Sequence, residues 1–176
     1  MSGPPDPDPA VAEVVTGLVA RGLTLATAES LTAGLIAATL VTVPGASAAV
    51  RGGLITYATD LKASLAGVDP ALLDRVGPVD AEVAVQMAQG AARVCGADLG
   101  LACTGVAGPE PQDGKPVGLV HLALAHAAGT THREHRFSGD RAAIRAATTA
   151  AGIALLAEHL DALGASDPAA GRPAGA

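Results

Sequence analysis

Residues 23–34 read Leu23-Thr24-Leu25-Ala26-Thr27-Ala28-Glu29-Ser30-Leu31-Thr32-Ala33-Gly34. The first seven predict a short strand, and the segment from about Thr32 to Leu40 predicts a helix. A strand that runs straight into a helix is the repeating unit of an α/β fold, so this junction decides the fold class. It also sets a carboxylate and a hydroxyl, Glu29 and Ser30, where a helix start offers unpaired amides and a partial positive charge. Two readings of Ser30 fit. It is a nucleophile whose oxyanion nearby amides would hold, or Ser30 or Thr32 simply caps the helix.

The alternation continues on both sides. Val11 to Ala20 reads as a helix stopped by Gly22. Residues 52–59, "GGLITYAT", read as a second strand. "DLKASLAG" predicts a short helix with Asp60 as cap and Gly67 as stop. "DPALLDRVG" is a further short helical piece. Residues 80–96 predict a helix capped by Asp80 and ended by Gly96. "ADLGLACTG" predicts a strand that enters a glycine-bearing loop. Residues 117–137 predict two strands around a turn at Ala128-Gly129, and a long helix capped by Asp140 follows. The expected architecture is α/β, a three-layer α/β/α sandwich with a mixed sheet. One domain is expected over residues 11–163. The Pro-, Asp- and Gly-rich tails, 1–10 and 164–176, are expected to be disordered.

Composition narrows the function. Hydrophobic residues make up 49% of the 176, yet aromatic residues only 1%, so the core is built from Ala, Val, Leu and Ile. A net charge of −6 with no Trp argues against nucleic acid as partner, because neither a basic surface nor stacking platforms are present. Cys95 and Cys103 form no CxxC pair and read as buried thiols of a reducing compartment. No basic-then-apolar leader opens the chain, and no apolar run reaches the roughly 18 residues of a membrane span. A cytoplasmic protein that engages no membrane is expected. The five histidines show no zinc spacing, and His121 lies opposite Val120, Leu122 and Leu124 in a strand pattern.

Two more polar clusters fall at strand ends or helix starts. Tyr57 ends a strand, and Lys62 follows in the next helix. A lysine can take a proton from a serine when burial leaves it neutral, and Tyr57 could relay that proton or orient the lysine. The competing reading is a solvated lysine. Thr104 and Gly105 end a buried strand, and Gly105 and Gly108 let backbone amides approach a ligand closely. The loop is no P-loop: Pro109 stands where a glycine is required, and Pro116 follows Lys115. Arg141 and Arg145 share a face at the start of the last helix. Cations there oppose the helix dipole, which suits an anion-binding role. Surface ion pairs with Asp140 or Glu134 are the alternative.

In order, "TAESLTAG", "VPGAS", "GGLITYATDLK", "MAQGAA", "TGVAGP", "KPVGLV" and "RFSGDRAAIR" resemble the CinA C-terminal domain family over about Val11 to Leu160. The resemblance implies a nicotinamide-nucleotide amidohydrolase. Such an enzyme converts nicotinamide mononucleotide (NMN) and water to nicotinate mononucleotide and ammonia, with no metal or cofactor. It implies Ser30 as nucleophile, Lys62 as base and Tyr57 beside them. Glu29, Thr32, Thr104, Gly105, Arg141 and Arg145 are the implied substrate-binding residues. The length leads us to expect the stand-alone form, without the pyrophosphatase-type domain of larger relatives, and self-association into a homo-oligomer. A nucleotide-binding domain without turnover is the alternative. The family usually reads "ESCTGG", so Leu31 and Ala33 depart from the pattern.

Overall fold

The computed structural model describes residues 7–165. The elements are α1 (Pro9–Ala20), β1 (Leu25–Glu29), α2 (Leu35–Leu40), β2 (Val50–Ile55), α3 (Thr59–Ser64), α4 (Pro70–Val76), α5 (Ala81–Cys95), β3 (Leu99–Gly105), β4 (Leu119–His126), β5 (Gly129–Arg136) and α6 (Arg141–Ala165). A single 3-10 turn, Ala46–Ala48, precedes β2. The strands form one mixed sheet in the order β2-β1-β3-β4-β5. β1 runs parallel to β2 and β3, and β4 is antiparallel to both β3 and β5.

The crossovers explain the layers. From β1 the chain steps to one side for β2, then back past β1 to β3. Right-handed crossovers that step in opposite directions must lie on opposite faces of a sheet. Accordingly Leu25, Leu101, Cys103 and Leu122 bury against α1, α2 and α6. Ala26, Ala28, Ala102 and Ala123 bury against α5 and the helices before it. The α/β/α sandwich expected from the sequence is the observed fold.

Where the local signals were strong, the elements match. Asp80 Oδ1 accepts from Glu82 N at 2.9 Å, and Gly96 ends α5 at φ 61°. Asp140 Oδ1 accepts from Ala143 N at 2.8 Å. Three readings are corrected. The helix expected from Thr32 begins at Leu35, because Ala33 and Gly34 take φ of 50° and 98° and turn the chain before it can coil. Asp60 is not a cap: α3 starts one residue earlier, with Ala58 at the cap position and Asp60 in the first turn. The second strand stops at Ile55, so Tyr57 lies beyond it. Helix α1 opens at Pro9 behind the Asp8 cap, and α6 runs to Ala165. Residues 9–10 and 164–165, expected to belong to disordered tails, are therefore helical, and the rest of that expectation falls mainly on residues 1–6 and 166–176, outside the described residues.

The α5 layer sits unusually close to the sheet. A Cβ on Gly100 of β3 would overlap the Ala88 carbonyl oxygen, and one on Gly90 of α5 would overlap that of Ala66. Alanine is the better helix former by about 1 kcal/mol, so local propensity favours Gly90→Ala. We expect the opposite outcome. The substitution should destabilise by about 1–3 kcal/mol through overpacking, measured as a lower urea midpoint at unchanged slope.

Candidate functional site

Strands β1, β2 and β3 are parallel, so their carboxyl ends open on one edge of the sheet, where ligands of open α/β sheets bind. Ser30, Lys62, Thr104, Gly105 and Arg141 line one cleft at that edge. Its cavity volume is about 160 Å³, and it opens to solvent at its mouth.

At its floor the Lys62 ammonium nitrogen lies 2.9 Å from Ser30 Oγ and donates to the Thr56 carbonyl oxygen at 2.8 Å. Lys62 is only 1% exposed, and none of the ion pairs among the described residues involves it. Burial therefore dominates its titration and lowers its pKa from 10.5 to about 8, while the neighbouring Cys103 acts weakly in the other direction. Helix α3 sets this geometry. Its first turn follows three residues after β2, and Lys62 reaches back to the carbonyl of Thr56 just past the strand end. The solvated-lysine reading is excluded by this burial.

The hydroxyl is free for the lysine because another group caps the helix. The Glu29 carboxylate accepts from Gly34 N at 2.8 Å, Ile36 N at 3.1 Å and Ala37 N at 2.9 Å, and from Thr32 Oγ1 at 2.7 Å. A buried carboxylate with this many donors at a helix start is well satisfied. Neither Ser30 nor Thr32 caps α2. Glu29 and Thr32, expected to touch substrate, are fully buried and lie outside the cleft lining. Thr32 Oγ1 also meets Cys103 Sγ at 3.0 Å, and burial raises the Cys103 thiol pKa.

The cleft walls follow from the β3 end. Thr104 Oγ1 donates to the Pro78 carbonyl oxygen at 2.6 Å, tying β3 to the segment before α5. At Gly105 a Cβ would lie 2.7 Å from the Leu119 carbonyl oxygen and 2.9 Å from Val120 Cα, so only glycine fits. The two arginines part company. Arg141 donates to the Tyr57 hydroxyl at 2.6 Å and to the Gly108 carbonyl at 2.9 Å, bridging the cleft mouth. Arg145 turns under the Ser30 turn and donates to the carbonyls of Leu31 at 2.8 Å and Thr32 at 3.1 Å. It does not line the cleft, and neither arginine pairs with Asp140 or Glu134. Tyr57 is 56% exposed and also lines the cleft. It contacts Arg141 rather than Lys62, so it does not orient the lysine.

A family model described as "CinA C-terminal domain" matches residues 8–160. The chain belongs to that family. It is 53% identical over 139 residues to a CinA-like protein of Frankia casuarinae, covering 78% of this chain and 32% of that protein. A CinA-like protein of Geobacter sulfurreducens is 50% identical over 141 residues, covering 80% and 34%. The chain thus spans about a third of the length of these curated relatives. The competence/damage inducible protein CihA of Agrobacterium tumefaciens has a solved structure with a TM-score of 0.84 at 39% identity, covering 92% of this chain and 99% of that one. A CinA superfamily protein from Klebsiella pneumoniae superposes with a TM-score of 0.83 at 32% identity, covering 86% and 96%.

Among the described residues no group of three or more His, Cys, Asp or Glu could hold a metal ion, and no helix is long and apolar enough to cross a membrane. Sequence reasoning missed the Thr56 and Gly108 carbonyls and Cys103. Carbonyls leave no sequence signal, but Cys103 alternates with Ala102 and Thr104 on a strand. Its register opposite Glu29 was the missing information.

The buried lysine carries a measurable stability cost. Between pH 8 and 10.5 the unfolded chain holds more protons at Lys62 than the folded one, so stability rises with pH across that window. The shift from 10.5 to about 8 corresponds to about 3 kcal/mol. We expect the parent to gain roughly that much relative to Lys62→Met between pH 7 and 10.5. Denaturant titrations of both proteins across that range measure it, and parallel pH curves would contradict the assigned burial.

Proposed function

We propose that this CinA domain hydrolyses the carboxamide of NMN to nicotinate mononucleotide and ammonia through a Ser30–Lys62 pair. The observation that carries the reading is the 2.9 Å contact between Ser30 Oγ and a buried Lys62 nitrogen. A lysine with a pKa of about 8 is partly neutral near pH 7. In that form the Ser30 hydroxyl donates to the nitrogen, which donates onward to the Thr56 carbonyl.

Lys62 takes the Ser30 proton as Oγ bonds to the carboxamide carbon. The carbonyl π electrons move onto oxygen, which needs hydrogen-bond donors at that moment. As the tetrahedral adduct collapses, its C–N bond breaks and Lys62 returns the proton to the leaving nitrogen, releasing ammonia. Water then attacks the Ser30 ester, with Lys62 accepting its proton. The C–Oγ bond breaks, Lys62 returns its proton to Ser30 Oγ, and the product leaves as the acid, which gives its remaining proton to solvent to become nicotinate mononucleotide. Arg141 at the cleft mouth is the guanidinium that binds the 5′-phosphate, exchanging the Gly108 carbonyl for phosphate oxygens.

Ammonia release from NMN tests the reaction. Ser30→Ala and Lys62→Met should each lower kcat by about 10³ or more. A parent that binds NMN without releasing ammonia would instead be a nucleotide-binding domain without turnover. Because the base must be unprotonated, kcat/KM should rise with pH by about tenfold per unit and level off near pH 8. A profile flat from pH 6 to 9 would remove Lys62 as base. Arg141→Met should raise the KM for NMN about tenfold or more, and an unchanged KM would remove it as the phosphate ligand.

A further inference from the structure

We infer that Arg145 is a positioning residue that aims the Leu31 amide at the developing oxyanion, an inference that rests on the proposed acyl transfer at Ser30. The resemblance pointed to Arg145 as a substrate-binding residue, yet its guanidinium is engaged behind the nucleophile. Nε donates to the Leu31 carbonyl at 2.8 Å and Nη2 to the Thr32 carbonyl at 3.1 Å, both part-buried.

A trans peptide holds its C=O and N–H antiparallel in one plane. Gripping the Thr32 carbonyl therefore fixes the direction of the Ala33 N–H. That N–H donates to the Ser30 carbonyl at 3.0 Å, which in turn fixes the plane of the Ser30–Leu31 peptide. The Leu31 N–H must then point away from the Ser30 carbonyl. It finds no acceptor among the described residues, while Leu31 itself lines the cleft beside Ser30. A buried amide without a partner is rare, and one adjoining a nucleophile is the donor an oxyanion requires.

The turn also needs holding. Ala33 sits at φ 50°, a region that favours glycine and that an alanine leaves readily when unconstrained. Releasing the Thr32 carbonyl lets the Thr32–Ala33 peptide rotate, and the relay to the Leu31 amide is lost. The role predicts a kcat effect without a binding effect, opposite to that of a phosphate ligand.

Two substrates separate the possibilities in the full chain. NMN carries a phosphate; p-nitrophenyl acetate carries neither phosphate nor nucleotide, yet its acylation of Ser30 passes through the same oxyanion. Arg145→Met should lower kcat on NMN and the ester acylation rate by about tenfold or more each, with the KM for NMN within about threefold. Arg145→Lys, which can reach one carbonyl, should recover part of both rates. Thermal melting of each variant identifies any that fails to fold, in which case Arg145→Lys is decisive by itself through its kcat-against-KM split. A raised KM for NMN with kcat and ester acylation preserved would overturn the inference and make Arg145 a phosphate ligand. Unchanged kinetics on both substrates would overturn it equally. A parent that is acylated by the ester but leaves NMN intact would remove the amidohydrolase reading alone, and the ester rates would still decide the role of Arg145.

Discussion

The Glu29 carboxylate is the anchor on which the site depends. It sits at the end of the central parallel strand, fully buried, and gathers three amides from the next helix and one hydroxyl. A buried charge without such donors would be very costly. With them it fastens the start of α2 to the end of β1 and defines the turn at 30–34 between. The Ser30 hydroxyl is thereby released from the capping duty that a serine at such a junction ordinarily performs. Contact with Lys62 and helix capping, which compete for one hydroxyl in the bare sequence, fall to adjacent residues.

The lysine opposite imposes a complementary constraint. Burial lowers its pKa to about 8, and the Thr56 carbonyl satisfies one of its donors. A carboxylate partner would have raised its pKa again and removed it as the base of the proposed reaction. Stability is lost for that arrangement, because the folded chain holds Lys62 at a lowered pKa. Both faces of the sheet are covered, the α5 side down to glycines at the contacts with β3 and with the chain at Ala66.

The fold was largely legible. Strand-then-helix alternation, the Asp80 and Asp140 caps and the Gly96 stop each have local causes, and each appears as expected. Ser30, Lys62, Thr104, Gly105 and Arg141 were legible as residues at strand ends or in the first turns of helices, which the sheet gathers at one edge. What failed depended on direction rather than position. Glu29 and Ser30 are neighbours on a strand end, so their side chains leave on opposite faces. Which face held the helix was unknown until the crossover was. Cys103 and the gripped carbonyls depend on inter-strand register and on backbone direction, neither of which residue types encode.

Arg141 and Arg145 show the same limit within one helix. Their spacing of four gives a shared face, but it also gives about 6 Å of axial separation. The helix starts beside the cleft, so the first arginine meets its mouth and the second meets the turn behind Ser30. That turn contains Ala33 at φ 50°, where the family pattern has a glycine. A glycine would adopt this angle without strain but would also leave it freely. With alanine the accessible backbone is narrower, and the two carbonyl bonds of Arg145 hold the strained state against relaxation. The departure from the family pattern and the diversion of Arg145 from the cleft thus meet at one peptide, the one whose N–H donates to the Ser30 carbonyl.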